Sequence, residues 1–219
     1  IALARLLDIF AVKSAPIDLA VIPAALTPSL ARELLDRHRL TGRRLGLHQH
    51  GFSHTNHERT GRKCEFGDSR DVADQCRDIA EGWTRLTEFF GSALDRCFTP
   101  PWNRCAGKTI EILARQGFAA ISRDGGTARK PRGGLVDVSI DIDWSKHHPA
   151  PLEGFPALGA HLAGSVSRPE RVGIMLHHAQ LAEEDLIALQ ELLHLLSGHP
   201  AARLINMRVV IDSAGSVVS

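Results

Sequence analysis

The chain has 219 residues, 43% of them hydrophobic, and 26 Lys and Arg against 25 Asp and Glu give a formal net charge of +1. That length and apolar content suit one globular domain over residues 1–219 with a large core. The near-zero charge excludes the basic footprint of a nucleic-acid binder, and no apolar run approaches the ~20 residues of a membrane span.

Ala2 to Val12 has helical apolar spacing at Leu3, Leu6, Leu7 and Phe10. No strand precedes this helix, so the expectation is that a first strand lies ahead of Ile1. Ile17 to Ile22 reads as a short buried strand closed by Pro23, and Thr27 caps a helix that has Pro28 at its first position and runs to about His38. Leu45 to His50 is the next strand. A long amphipathic helix starts near Ser69 to Val72 and ends at Phe90 and Gly91, with Cys76, Ile79, Trp83 and Leu86 on one stripe.

Arg96 to Thr99 reads as a strand stopped by Pro100-Pro101, Lys108 to Gln116 as a helix stopped by Gly117, and Phe118 to Ser122 as a strand. Gly125 to Gly134, rich in Gly and Arg, reads as a loop. Leu135 to Ile142 and Arg171 to Leu176 are expected strands, Ala182 to Leu196 a helix, and Ala202 to Ile211 a last strand. Strands alternating with helices imply an α/β fold. The expected architecture is a distorted or incomplete (β/α) barrel of about seven or eight mostly parallel strands with outer helices. No GxGxxG or phosphate-loop pattern follows any strand, which argues against nucleotide binding.

Four of the twelve histidines, His48, His50, His54 and His57, fall within ten residues at the end of a strand. Imidazole is the commonest ligand for zinc and related ions, and several must converge on one ion. His48, inside the strand rather than at its end, is read as a structural residue. His57 reads either as a group near the site or as plain surface. Cys64, Cys76, Cys97 and Cys105 form no CxxC pair, so a cysteine zinc site is not expected. Free thiols are expected over a Cys97–Cys105 bridge; the compartment is left open, with the cytoplasm slightly favoured.

In parallel α/β barrels the chemistry gathers where strands end. Four polar clusters have that placement: His50 with His54, Pro100 to Arg104, Asp141 to Trp144, and His177 with His178. Together they resemble the motif series of the polysaccharide deacetylase family, carbohydrate esterase family four, and they occur in its order. His50-Gly51-Phe52-Ser53-His54 is similar to the family's metal motif, Pro100-Pro101-Trp102 to its Pro-aromatic motif, Asp141-Ile142-Asp143-Trp144 to its Asp/Trp motif, and Gly173-Ile174-Met175-Leu176-His177 to its final strand ending in Leu-x-His.

The resemblance implies a divalent ion on His50 and His54, most simply zinc, with cobalt, nickel or manganese as substitutes. It implies oxyanion stabilisation at the Trp102 backbone, His177 as the acid, and Asp141 or Asp143 as the group orienting it. Trp144, Asn103, Arg104 and His178 become candidates for substrate contact. The family's first motif, an Asp-Asp pair, has no match here. Asp8 sits mid-helix, so the pair is expected ahead of Ile1. Thr99 stands where the family has Arg, Asn103 where it has Gly, and Gly51 where it has a hydroxyl residue; Arg104 is the candidate for the missing Arg contact. Glu65-Phe66-Gly67, in the loop after the metal motif, reads as a cover over the site or as a plain turn.

The function expected is a metal-dependent hydrolase that removes N-acetyl groups from an N-acetylated amino sugar, either a small molecule or an oligosaccharide. The alternative is a catalytically inactive barrel that binds sugar or metal in the same place.

Overall fold

A computed structural model describes residues 2–124, 134–147, 159–160, 163–164 and 171–215. Most of the expected Gly125–Gly134 loop lies outside the described residues. Contacts divide the chain into a larger unit, Asp18–Val138 with Asn206–Ser219, and a smaller one, Ile1–Ile17 with Ser139–Ile205.

The sheet has five strands in the order β1-β2-β3-β4-β5: β1 (Ile17–Val21), β2 (Leu45–His50), β3 (Leu94–Thr99), β4 (Ala120–Asp124) and β5 (Val136–Ile140). The pairs β2–β3 and β3–β4 are parallel, with His50 opposite Thr99. A separate parallel pair, β6 (Ile142–Asp143) with β7 (Ile174–Met175), brings the described strands to seven. This is the expected α/β architecture, an incomplete barrel with helices around a parallel sheet.

In the larger unit, α2 (Pro28–Leu40), α3 (Val72–Phe90) and α4 (Gly107–Arg115) flank the strands. Thr27 caps α2 as its sequence predicts, its hydroxyl accepting the Leu30 N–H at 3.3 Å. α3 buries Ile79, Leu86 and Phe90 at helical spacing, and Gly82 faces Pro23 and the Gln49 side chain so closely that a Cβ would collide with Gln49. That close approach lets Gln49, itself fully buried, donate to the Ile79 carbonyl at 3.2 Å. Phe66, Phe98 and Phe118 meet edge-to-face beside Ile112, Leu113 and Ile121 in the core.

In the smaller unit, α1 (Ala2–Val12) and α5 (Glu183–Gly198) bury Leu6, Ile9, Phe10, Leu186, Leu189 and Leu193 against Ile142 and Trp144. The strand expected at Arg171 to Leu176 shortens to Ile174–Met175, because Gly173 uses its backbone on Asp141 and Ile142.

The strand expected at Ala202 to Ile211 is instead a helix, α6 (Met207–Gly215), in the larger unit. The β-branched run Val209-Val210-Ile211 has strand propensity, but local capping overrides it. The Asn206 side chain accepts the Val209 N–H at 3.2 Å, and Asp18 accepts the Met207 N–H at 2.9 Å, so two N-terminal donors are met by side-chain oxygens.

Candidate active site

β2 delivers His48, Gln49 and His50 to the end of the sheet next to Thr99 of β3. Thr99 serves both histidines. Its hydroxyl lies 2.8 Å from His48 Nε2, and its carbonyl lies 2.9 Å from His50 Nδ1 and accepts the Gly51 N–H at 3.1 Å. His48 is only 2% exposed. Burial first, and the neighbouring His50 second, push its imidazole down to about 3, so it is a neutral structural residue.

A carbonyl only accepts hydrogen bonds, so His50 Nδ1 carries the proton and the lone pair of the neutral ring sits on Nε2. Metal-bound histidines are oriented by this same contact. The chain then reverses at Gly51 (φ 54°) and at His54 (φ 58°). The reversal returns the His54 ring to 5.1 Å from that of His50, centroid to centroid, with the planes tilted by 55°. An ion ~2.1 Å from one nitrogen of each ring, at a tetrahedral angle of ~109°, requires centroids ~5 Å apart. The pair therefore fits the group that the resemblance implies. Among the described residues no set of three or more His, Cys, Asp or Glu side chains is arranged to hold an ion, so this chain's described contribution is two donors.

Trp102 and Asn103, like His54, are left-handed without being glycine, at φ 55° and 57°. Such residues cost roughly 1–3 kcal/mol each and cluster where function demands them. The strain places the Trp102 ring 4.5 Å from that of His54. The Asn103 N–H closes the turn on the Pro100 carbonyl at 2.9 Å, and Arg104 reaches the Lys63 carbonyl at 3.3 Å. Arg104 thus ties down the loop that contains Lys63, after the His50–His54 turn. His57 borders a polar cavity of about 590 Å³ with Arg59, Ser69, Arg70, Asp71 and Asp74, a set that includes neither His50 nor His54.

The smaller unit holds the remaining sequence-derived residues. His177 Nε2 lies 3.7 Å from Asp143 Oδ1, and the same carboxylate has Lys146 at 3.5 Å and accepts the Ser145 N–H at 3.2 Å. The His177 side chain is 42% exposed and that of Asp143 14%. Asp141 is not beside them: its carboxylate accepts the Gly173 N–H at 2.8 Å and fixes the bend between β5 and β6. Trp144, expected as a pocket wall, is 2% exposed within the apolar core. Its indole N–H donates to Asp185 at 2.9 Å, and this buried acceptor is what draws it inward. His178 stands exposed at the start of a short 3-10 turn.

Two contributors carry no motif. Thr99 acts through its backbone carbonyl, which no side-chain pattern reveals. Glu65 is fully buried, and its carboxylate accepts from the Ser53 N–H at 2.8 Å, the Phe52 N–H at 3.3 Å and the Ser53 hydroxyl at 3.0 Å. All four cysteines are free thiols.

No protein-family model matches the chain, and neither does any curated protein. Solved structures do match it. A protein from Mycobacterium smegmatis described as a polysaccharide deacetylase is 16% identical with a TM-score of 0.72, covering 99% of this chain and 78% of its own. A family 4 acetyl xylan esterase from Clostridium thermocellum, in complex with a cobalt ion, is 16% identical with a TM-score of 0.63, covering 98% and 86%. A protein from Pseudomonas aeruginosa described as a polysaccharide deacetylase is 14% identical with a TM-score of 0.69, covering 96% and 71%. The chain has the fold of the polysaccharide deacetylases and family 4 esterases.

Proposed function

We propose that this protein is a metal-dependent deacetylase that hydrolyses the N-acetyl group of an N-acetylated amino sugar, free or within an oligosaccharide. The observation that carries this reading is the His50–His54 pair: one ring fixed by the Thr99 carbonyl, the other returned to 5.1 Å by a left-handed turn. The cobalt-bound esterase of the same fold supports it.

His50 and His54 would hold the ion. When bound, a divalent ion of the zinc class brings the pKa of a water toward ~7 and polarises an acyl oxygen. Backbone N–H groups at Trp102 are assigned to the developing oxyanion, a contact commonly worth roughly 3–4 kcal/mol. His177 is assigned as the proton donor to the departing nitrogen, with the Asp143 carboxylate 3.7 Å from its Nε2 as the group that orients the ring. Asn103, Arg104 and His178 are the polar groups assigned to the sugar. Trp144 and Asp141 brace the smaller unit itself, through Asp185 and Gly173.

The test has two arms. Cobalt(II) titrated into metal-free protein is expected to bind, and His50→Ala or His54→Ala to abolish binding. Zinc- or cobalt-loaded protein is expected to release acetate from chitooligosaccharides. Metal binding without acetate release from N-acetyl or O-acetyl sugars would replace the enzyme reading with that of a binding barrel.

A further inference from the structure

We propose that Glu65 is the positioning residue of the metal turn: its buried carboxylate gathers the N–H groups of Phe52 and Ser53 and so keeps the imidazoles of His50 and His54 converged. The inference rests on the reading of those two histidines as metal ligands.

The turn from Gly51 to His54 is left-handed at both ends, with φ of 54° and 58°, and strained at His54, which is not glycine. A left-handed residue other than glycine costs roughly 1–3 kcal/mol and persists only where its surroundings over-determine it. Most of the anchors are near in sequence or made by backbone. The Gly51 N–H donates to the Thr99 carbonyl, the Gln49 side chain donates to the Gly51 carbonyl, and the Ala24 N–H donates to the Phe52 carbonyl. The two amides that lead directly into His54, those of Phe52 and Ser53, both point at Glu65. The Ser53 hydroxyl adds a third donor and is itself 2.9 Å from the Thr55 hydroxyl.

Glu65 is 0% exposed, and burying a carboxylate is costly unless donors surround it. Here the donors are the turn itself, so carboxylate and turn enforce each other. Gly51 belongs to the same device: a Cβ there would strike the Glu65 carboxylate and come within 2.6 Å of Pro101. A buried brace that served stability alone would have no reason to spend its oxygens on consecutive amides between two candidate ligands. Gln75 shows what such a brace looks like. It is equally buried, in the following helix, and its side chain holds the Gly67 carbonyl at 2.8 Å and meets the Thr109 hydroxyl at 2.7 Å.

The experiment compares Glu65→Ala, Glu65→Gln and Gln75→Ala, each metal-free, by cobalt(II) titration, thermal unfolding and amide hydrogen exchange. Loss of a group that orients a ligand typically weakens metal affinity ~10–100-fold. That loss is expected for E65A, and Q75A is expected to lose stability while keeping wild-type cobalt affinity. Glutamine can still accept from Ser53 through its carbonyl oxygen, so E65Q is expected to recover most of the affinity while the Phe52 amide exchanges faster than in wild type.

Cobalt affinity in E65A equal to that of Q75A would overturn the proposal. So would unchanged Phe52 exchange in E65Q, a measurement that stands even if E65A does not fold. If the wild-type protein takes up no cobalt, the metal reading fails by itself. Exchange at Phe52 and Ser53 in the metal-free variants then decides Glu65: accelerated exchange upholds its grip on the turn, and unaltered exchange removes it.

Discussion

His177 and Asp143, proposed as a proton donor and its carboxylate partner, lie within the smaller unit, 3.7 Å apart and not fully shielded from water. His177→Ala should leave cobalt affinity at the wild-type level and lower kcat by ~10²–10⁴, the usual contribution of a positioned general acid. Unchanged turnover would discard the acid role. At Gly51, two costs coincide: a side chain would have to adopt φ 54°, and its Cβ would collide with Glu65 and Pro101. Gly51→Ala should therefore destabilise the protein by about 2 kcal/mol or more and lower cobalt affinity with it. A variant as stable as wild type would show that the turn can be remade. Neither Glu65 nor Thr99 could be recognised from residue type: a single glutamate and a backbone carbonyl have no spacing to read, and both act on partners far along the chain.

Among the elements, α6 shows how capping, by one adjacent and one distant side chain, outweighs propensity. Its β-branched centre reads as a strand, but Asn206 and Asp18 supply acceptors for the N-terminal amides, and Arg208 pairs with Asp95 at 2.5 Å. Asp18 is the more exacting contact, since its Oδ1 is buried with no hydrogen-bond partner among the described residues. Burial lifts this carboxyl to about 7, the Met207 N–H works against that rise, Asp95 adds to it and Arg208 opposes it.

A folded-state value above the unfolded ~3.9 means that the native protein holds the extra proton between those limits. The stability that Asp18 contributes is therefore fully present below about pH 4 and lost as pH climbs to about 7, by up to about 4 kcal/mol. Asp18→Asn keeps an acceptor for Met207 and should flatten this slope; urea unfolding at pH 4.5 and 7.5 measures it. An Asn variant that loses stability as steeply as wild type across that interval would remove Asp18 as the source.

For the molecule as a whole, apolar periodicity was sufficient for the alternation of strands and helices as far as α5, because each amphipathic stripe has one buried face to satisfy. The long stripe of α3 and the Thr27-Pro28 start of α2 lie where their residues place them. Periodicity could not report that Gly173 spends its backbone on the β5–β6 bend, so β7 is shorter than its apolar run. The approach of His50 to His54 was legible because a spacing of four residues is local. Trp144 was not, because its hydrogen-bond partner Asp185 lies 41 residues away.

Anomalous scattering at the zinc edge, from crystals of protein equilibrated with zinc, puts the ion itself to the test. The expected result is one strong peak ~2.1 Å from His50 Nε2 and from a ring nitrogen of His54. Imidazoles that diverge in such a map, with no peak between them, would contradict the assignment of this turn as a metal centre.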